Sequence, residues 1–188
     1  MRNLLLSLLT FLLPFIASSQ PMSSVAFFPE NWAIPSMDNV PENSGWDFLI
    51  QDGNDKPYYV FGDFNGDNFM DEAWLLMHKK AEVWGLWVFL NDLAGGYKSY
   101  VLGGMGDDFS NPKVLARCSI FECMIYSFGD KTRLCLYDDN LNVIEQKDSE
   151  YDLLGFGVFE VGNIHLFYYN RQNDVFEIWL DCNADPED

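Results

Sequence analysis

The sequence predicts a mainly β protein: a single antiparallel β domain, arranged as a sandwich, meander or partly closed barrel, with little helix. Three observations carry this expectation. Phe, Trp and Tyr supply 16% of the residues and hydrophobic residues 48%, too much apolar surface for an acidic chain to stay disordered. Short runs rich in aromatic and β-branched residues recur about every 8–12 residues, with Gly, Asn and Asp clusters between them, as antiparallel architectures require. No long segment repeats its apolar residues with the 3.6-residue period of a helix.

Taken in order, residues 1–19 hold one basic side chain, Arg2, then an apolar core over 4–17, with Ala17 and Ser19 placed three and one residues before a cleavage point at Gln20. This is the pattern of a secretory signal peptide, too short and wrongly flanked for a membrane span. No cysteine stands at the cleavage point, so no lipid anchor is expected there. No other stretch reaches the roughly 18 apolar residues that a transmembrane helix needs. The mature protein is therefore expected to be exported, periplasmic or secreted, without membrane insertion. Removing 19 of the 188 residues leaves a length that suits one domain with a real core.

Residues 20–57 read as an irregular segment packed on a β domain that spans 58–188. Four of the eight prolines fall within 21–45, and 46–51 reads as a short strand or a helical turn. Strands are expected at 58–61 and 73–78, on either side of a polar loop over 62–71. Residues 83–90 form a long apolar run, with Trp84, Leu86, Val88 and Leu90 on one face and Trp87 and Phe89 on the other. A strand apolar on both faces belongs inside a sheet, covered on each side. A Gly-rich turn at 91–96 leads to a strand at 97–102, and 103–112 is loop. Further strands are expected at 114–126, 132–137, 143–145, 151–161, 164–169 and 175–180. The Phe-Gly-Asp core of 127–131 makes 114–126 and 132–137 a hairpin.

The loop at 62–71 is the most specific feature. Asp63, Asn65, Asp67 and Asp71 stand at positions 1, 3, 5 and 9 of a tight turn, and Phe69 at position 7 can offer its backbone carbonyl. Hard cations such as calcium take six to eight oxygen ligands, and alternate side chains of one tight loop can supply them. An EF-hand would need Gly at position 6 and Glu at position 12, with helices on both sides. Here those positions hold Asn68 and Trp74, and the flanks read as strands.

The run Phe61-Gly62-Asp63-Phe64-Asn65-Gly66-Asp67 followed by Asp71 resembles the FG-GAP or VCBS repeat, the calcium loop of integrin-like propeller blades. It is most similar to the single loop of this kind in small exported bacterial proteins without an assigned activity. The resemblance is specific over 58–92 and faint elsewhere. It implies a strand–calcium loop–strand unit with Asp63, Asn65, Asp67, Phe69 and Asp71 as metal ligands and calcium as the bound ion. A propeller is not implied, because at least four blades of about 40–50 residues are needed and the Asp-x-Asn-x-Asp pattern occurs once.

Four cysteines in an exported chain suggest two disulfides. Cys123 and Cys135 would face each other across the hairpin centred on Gly129, leaving Cys118 with Cys182. Pairing Cys118 with Cys123 and Cys135 with Cys182 closes equally sensible loops.

With 29 acidic against 11 basic residues, the formal charge is −18. Such a field repels nucleic acid and anionic lipid and attracts cations and basic proteins. A basic protein is thus the expected kind of partner. His78 and His165, the only histidines, lie in strand-like apolar runs, and no nucleophile elbow, zinc-protease pair or phosphate loop is present. The expected function is that of an exported, non-catalytic β domain with a structural calcium loop, serving as a protein-interaction module of the cell envelope. An envelope immunity or inhibitor protein that neutralises a basic partner is the second expectation, and an uncharacterised hydrolase the third.

Overall fold

The computed structural model describes residues 24–81, 83–92, 95–104, 119–138, 141–159 and 164–182. The signal peptide expected at 1–19, and Cys118, lie outside them. Strands hold 51% of the described residues and helix 10%, in two antiparallel sheets without a closed barrel, so the expected mainly β class is the observed one.

The first sheet contains β1 (Trp32–Ala33), β2 (Tyr59–Gly62), β3 (Asp71–His78), β4 (Trp84–Asp92) and β5 (Gly96–Gly104). Its main order is β1-β3-β4-β5, with β2 also paired to β3. The long apolar run is the inner strand β4, and its two faces part as the sequence implies. Trp84, Leu86, Val88 and Leu90 enter the core between the sheets, while Trp87 and Phe89 face a second cluster with Trp74 and Leu76. The amino-terminal segment covers that outer face. Phe28 packs edge-on to Trp74 with ring centroids 5.2 Å apart, and Trp32 likewise to Trp87 at 5.3 Å.

The segment expected to be irregular carries a 3-10 turn (Ser24–Phe27), β1 and one short helix, α1 (Gly45–Gln51). Local chemistry explains why 46–51 turns helical. Ser44 in the extended region caps the helix, its Oγ accepting the N–H of Asp47 at 3.3 Å, and Asp47 places a negative charge in the first turn. The helix then buries Trp46, whose Nε1–H donates to the Cys123 carbonyl at 2.7 Å.

The second sheet contains β6 (Cys123–Phe128), β7 (Arg133–Tyr137), β8 (Val143–Asp148), β9 (Leu153–Val158), β10 (Ile164–Asn170) and β11 (Val175–Asp181). Its order is β6-β9-β10-β11-β7-β8. Two expectations fail here. Of the strand expected over 114–126, residues 114–118 lie outside the described residues and the described part begins only at Cys123, because Ser119 caps a 3-10 turn over Ile120–Glu122. The hairpin between β6 and β7 does not form: β6 pairs with β9, and three strands separate it from β7. The link at 129–132 instead lies beside the link between β8 and β9. Lys131 N–H donates to the Ser149 carbonyl at 3.0 Å, and Ser149 N–H to the Thr132 carbonyl at 2.9 Å. Local turn signals could not show that competing long-range pairing.

Cys123 and Cys135 are consequently far apart in sheet order, and the pairing that places them together is excluded. Cys135 is bonded to Cys182, with 5.0 Å between Cα atoms. The bridge sits where β7 meets β11 through only two register pairs, Leu180 with Cys135 and Asp181 with Leu134.

Between the sheets lies the main core, where Leu75, Leu86 and Val88 meet Ile125, Leu154, Phe156 and Phe167. Trp84 stacks on Phe156 at a centroid distance of 5.9 Å.

Candidate metal centre

The loop joining β2 to β3 takes its shape from its own side chains. Asp63 Oδ1 accepts the Asp67 N–H at 3.0 Å and its Oδ2 the Asn68 N–H at 2.9 Å. Asn65 Oδ1 accepts the same Asp67 N–H at 2.8 Å, and Asp67 Oδ1 accepts the Phe69 N–H at 2.8 Å. These are the short-range bonds that make Asp and Asn turn formers. Two residues complete the curvature at positive φ: Gly66 at 71° and Asn68 at 68°. Asn enters that region more readily than most side chains.

Asp71 behaves differently from the other acids. It is fully buried, and its carboxylate ties three separate backbone positions together. Oδ2 accepts the N–H groups of Phe64 at 2.9 Å and Asn65 at 3.3 Å, while Oδ1 accepts that of Asn91 on β4 at 2.8 Å. Burial pushes its pKa up to about 7. The bonds from Asn91 and Phe64 oppose that rise, and the charges of Asp67 and Asp63 add to it.

The second sheet reaches the loop through residues distant in sequence. Asp152, beyond β8, accepts the Asp63 N–H at 3.0 Å. Arg171, beyond β10, donates from Nε to the Asn65 carbonyl and lies over the Tyr151 ring, 5.2 Å from its centroid. Phe64 plugs the loop into the main core at 1% exposure. Sequence reading missed Asn91, Tyr151, Asp152 and Arg171, and no local spacing marks them. Asn91 reaches the loop through the β3–β4 pairing, and Tyr151, Asp152 and Arg171 reach it only because the two sheets stack.

The oxygen donors expected from the sequence thus stand along one turn: Asp63, Asn65 and Asp67 partly buried, Phe69 exposed, Asp71 buried at its end. Among the described residues, no Lys or Arg forms a salt bridge with Asp63, Asp67 or Asp71. Nor does any group of three His, Cys, Asp or Glu side chains there gather closely enough to hold a metal by itself. The donor set is all hard oxygen, which suits calcium. A carboxylate has about four lone-pair sites, so oxygens that already accept N–H groups retain capacity to bind a cation.

His78 Nδ1 accepts the Ala81 N–H at 3.1 Å, and its ring packs edge-on to Trp32 at 5.3 Å. His165 lies on β10 opposite Phe156.

Compared with models of protein families, with curated proteins and with solved structures, the chain matches none.

Proposed function

We propose that this chain is an exported, non-catalytic β domain whose loop at 62–71 binds calcium as a structural element, and that it serves as a protein-interaction module of the cell envelope. One observation carries the reading. Three carboxylates, an amide oxygen and a main-chain carbonyl alternate along a single turn, and among the described residues no basic side chain neutralises the acids by a salt bridge. Asp63, Asn65, Asp67, Phe69 and Asp71 would hold the ion, with Asp71 also bracing the loop against β4. The ion would supply positive charge among acids that repel one another. Position 12 is Trp74 rather than a bidentate Glu, so affinity belongs in the weak extracellular range, roughly 10⁻⁴ to 10⁻³ M.

Equilibrium dialysis of chelator-stripped protein against calcium tests the metal assignment. One ion per chain is expected, lost in Asp63→Ala and Asp67→Ala. No uptake in the wild type would overturn it. The net charge of −18 favours a basic protein as the partner. Capture from envelope extract should return a stoichiometric basic protein; recovery of none would contradict the interaction role. If that protein is a toxin or enzyme whose activity is abolished by the complex, the module is an immunity or inhibitor protein.

A further inference from the structure

Asn65–Gly66 is the one Asn-Gly step in the sequence, and its glycine is tightly packed. Gly66 sits at φ 71°, and a Cβ there would collide with Arg171 Nη2 and with Tyr151 Cδ1. Without a Cβ, the Gly66 nitrogen is unhindered toward the neighbouring Asn65 side chain, the arrangement from which a five-membered imide closes. We propose that Asn65 is a site of spontaneous deamidation, and that the fold assists the reaction.

Three contacts act on the reacting atoms. The nucleophile is the Gly66 nitrogen after its proton has gone to solvent hydroxide. The resulting imidate places charge on the Asn65 carbonyl oxygen, where the Arg171 Nε–H donates a charge-assisted hydrogen bond. As the nitrogen bonds to Asn65 Cγ, charge moves onto Oδ1. That oxygen already accepts the Asp67 N–H at 2.8 Å, the role of an oxyanion donor. Asn65 Nδ2 donates to Asp67 Oδ2 at 3.1 Å, which holds the amide plane so that Oδ1 stays on its donor.

The Cγ–Nδ2 bond then breaks, and Nδ2 leaves as ammonia with a proton from water. Water adds to either imide carbonyl and opens the ring to aspartate or isoaspartate. The net change consumes one water and releases one ammonia, with no oxidant or cofactor. Aspartate adds a fourth carboxylate to the loop. Isoaspartate lengthens the backbone by one carbon and breaks the alternation of oxygen donors. The inference stands whether or not the loop takes an ion.

Ageing of the full-length chain in mildly alkaline buffer with chelator, followed by peptide mapping for aspartate and isoaspartate, tests the proposal. Asn65 should convert faster than any other asparagine of the folded chain, and at least as fast as in the same chain unfolded in urea. Arg171→Gln should slow conversion severalfold when folded and leave the rate in urea unchanged. Slower conversion at Asn65 in the folded wild type than in urea would overturn the proposal. So would an unchanged rate in folded Arg171→Gln. Should that variant fail to fold, the wild-type comparison decides alone.

Discussion

Asp71 Oδ1 accepts the backbone N–H of Asn91 at 2.8 Å, so the last residue of the loop is fastened to the end of β4. With Oδ2 holding Phe64 and Asn65, one buried carboxylate closes the loop at both ends. Replacing Asp71 by Ala leaves three backbone donors without that partner, each in or near the core. A loss of about 3 kcal/mol is expected, partly offset by removing a buried charge. Urea unfolding of Asp71→Ala against wild type measures it, and a change within 0.5 kcal/mol, the roughly neutral range of surface substitutions, would remove Asp71 from this role.

Gly66 and Gly53 separate crowding from backbone strain. Both have positive φ, 71° and 96°, but a Cβ at Gly53 meets nothing within 4 Å whereas one at Gly66 strikes Arg171 and Tyr151. Gly53→Ala should cost about 1 kcal/mol from the left-handed backbone alone. Gly66→Ala adds an overpacking cost of about 1–3 kcal/mol. Equal losses in chemical denaturation would mean that the loop does not press against Arg171 and Tyr151.

The disulfide guards a narrow junction. Cys135 and Cys182 close a loop with a sequence separation of 47, for which loop-closure entropy gives about 4 kcal/mol. Since β7 meets β11 through two register pairs, its loss should also free the β7–β8 hairpin locally. In a Cys135→Ser, Cys182→Ser variant, hydrogen exchange should rise most over Arg133–Tyr137 and Val143–Asp148, with β3 and β4 much less affected. A uniform rise across both sheets would contradict the local role.

The two sheets differ in how far the sequence foretold them. β4 was legible because six large apolar side chains fill both faces, and only a covered inner strand tolerates that. The flanks of the loop were legible because oxygen-bearing residues interrupt two apolar runs. Residues 46–51 were ambiguous: the run is too short for a periodicity, and Ser44 with Asp47 decides it through capping. The β6–β7 hairpin was misread because a turn signal at Gly129 is local, while β6 finds β9 across the chain. The same reason hid Asp152 and Arg171, which touch the loop only after both sheets fold.

Burial holds the His165 imidazole below its ordinary value. As pH falls through about 6.5, the unfolded chain takes up a proton that the folded chain resists, so stability declines toward acid. His165→Gln should flatten that decline. Melting temperatures of both proteins on either side of neutrality measure the difference, and identical slopes would show that His165 contributes nothing to it.

The calcium reading is tested most directly by the melting temperature of chelator-stripped protein with and without about 1 mM calcium, near free extracellular levels. With a dissociation constant of about 0.1 mM, binding adds about 1.4 kcal/mol. For a domain of this size that is a rise of a few degrees. Asp63→Ala and Asp67→Ala should abolish the rise, and Asp52→Ala, outside the loop, should retain it. A wild-type melting temperature unmoved by calcium would contradict the account and leave the loop a turn held by its own hydrogen bonds.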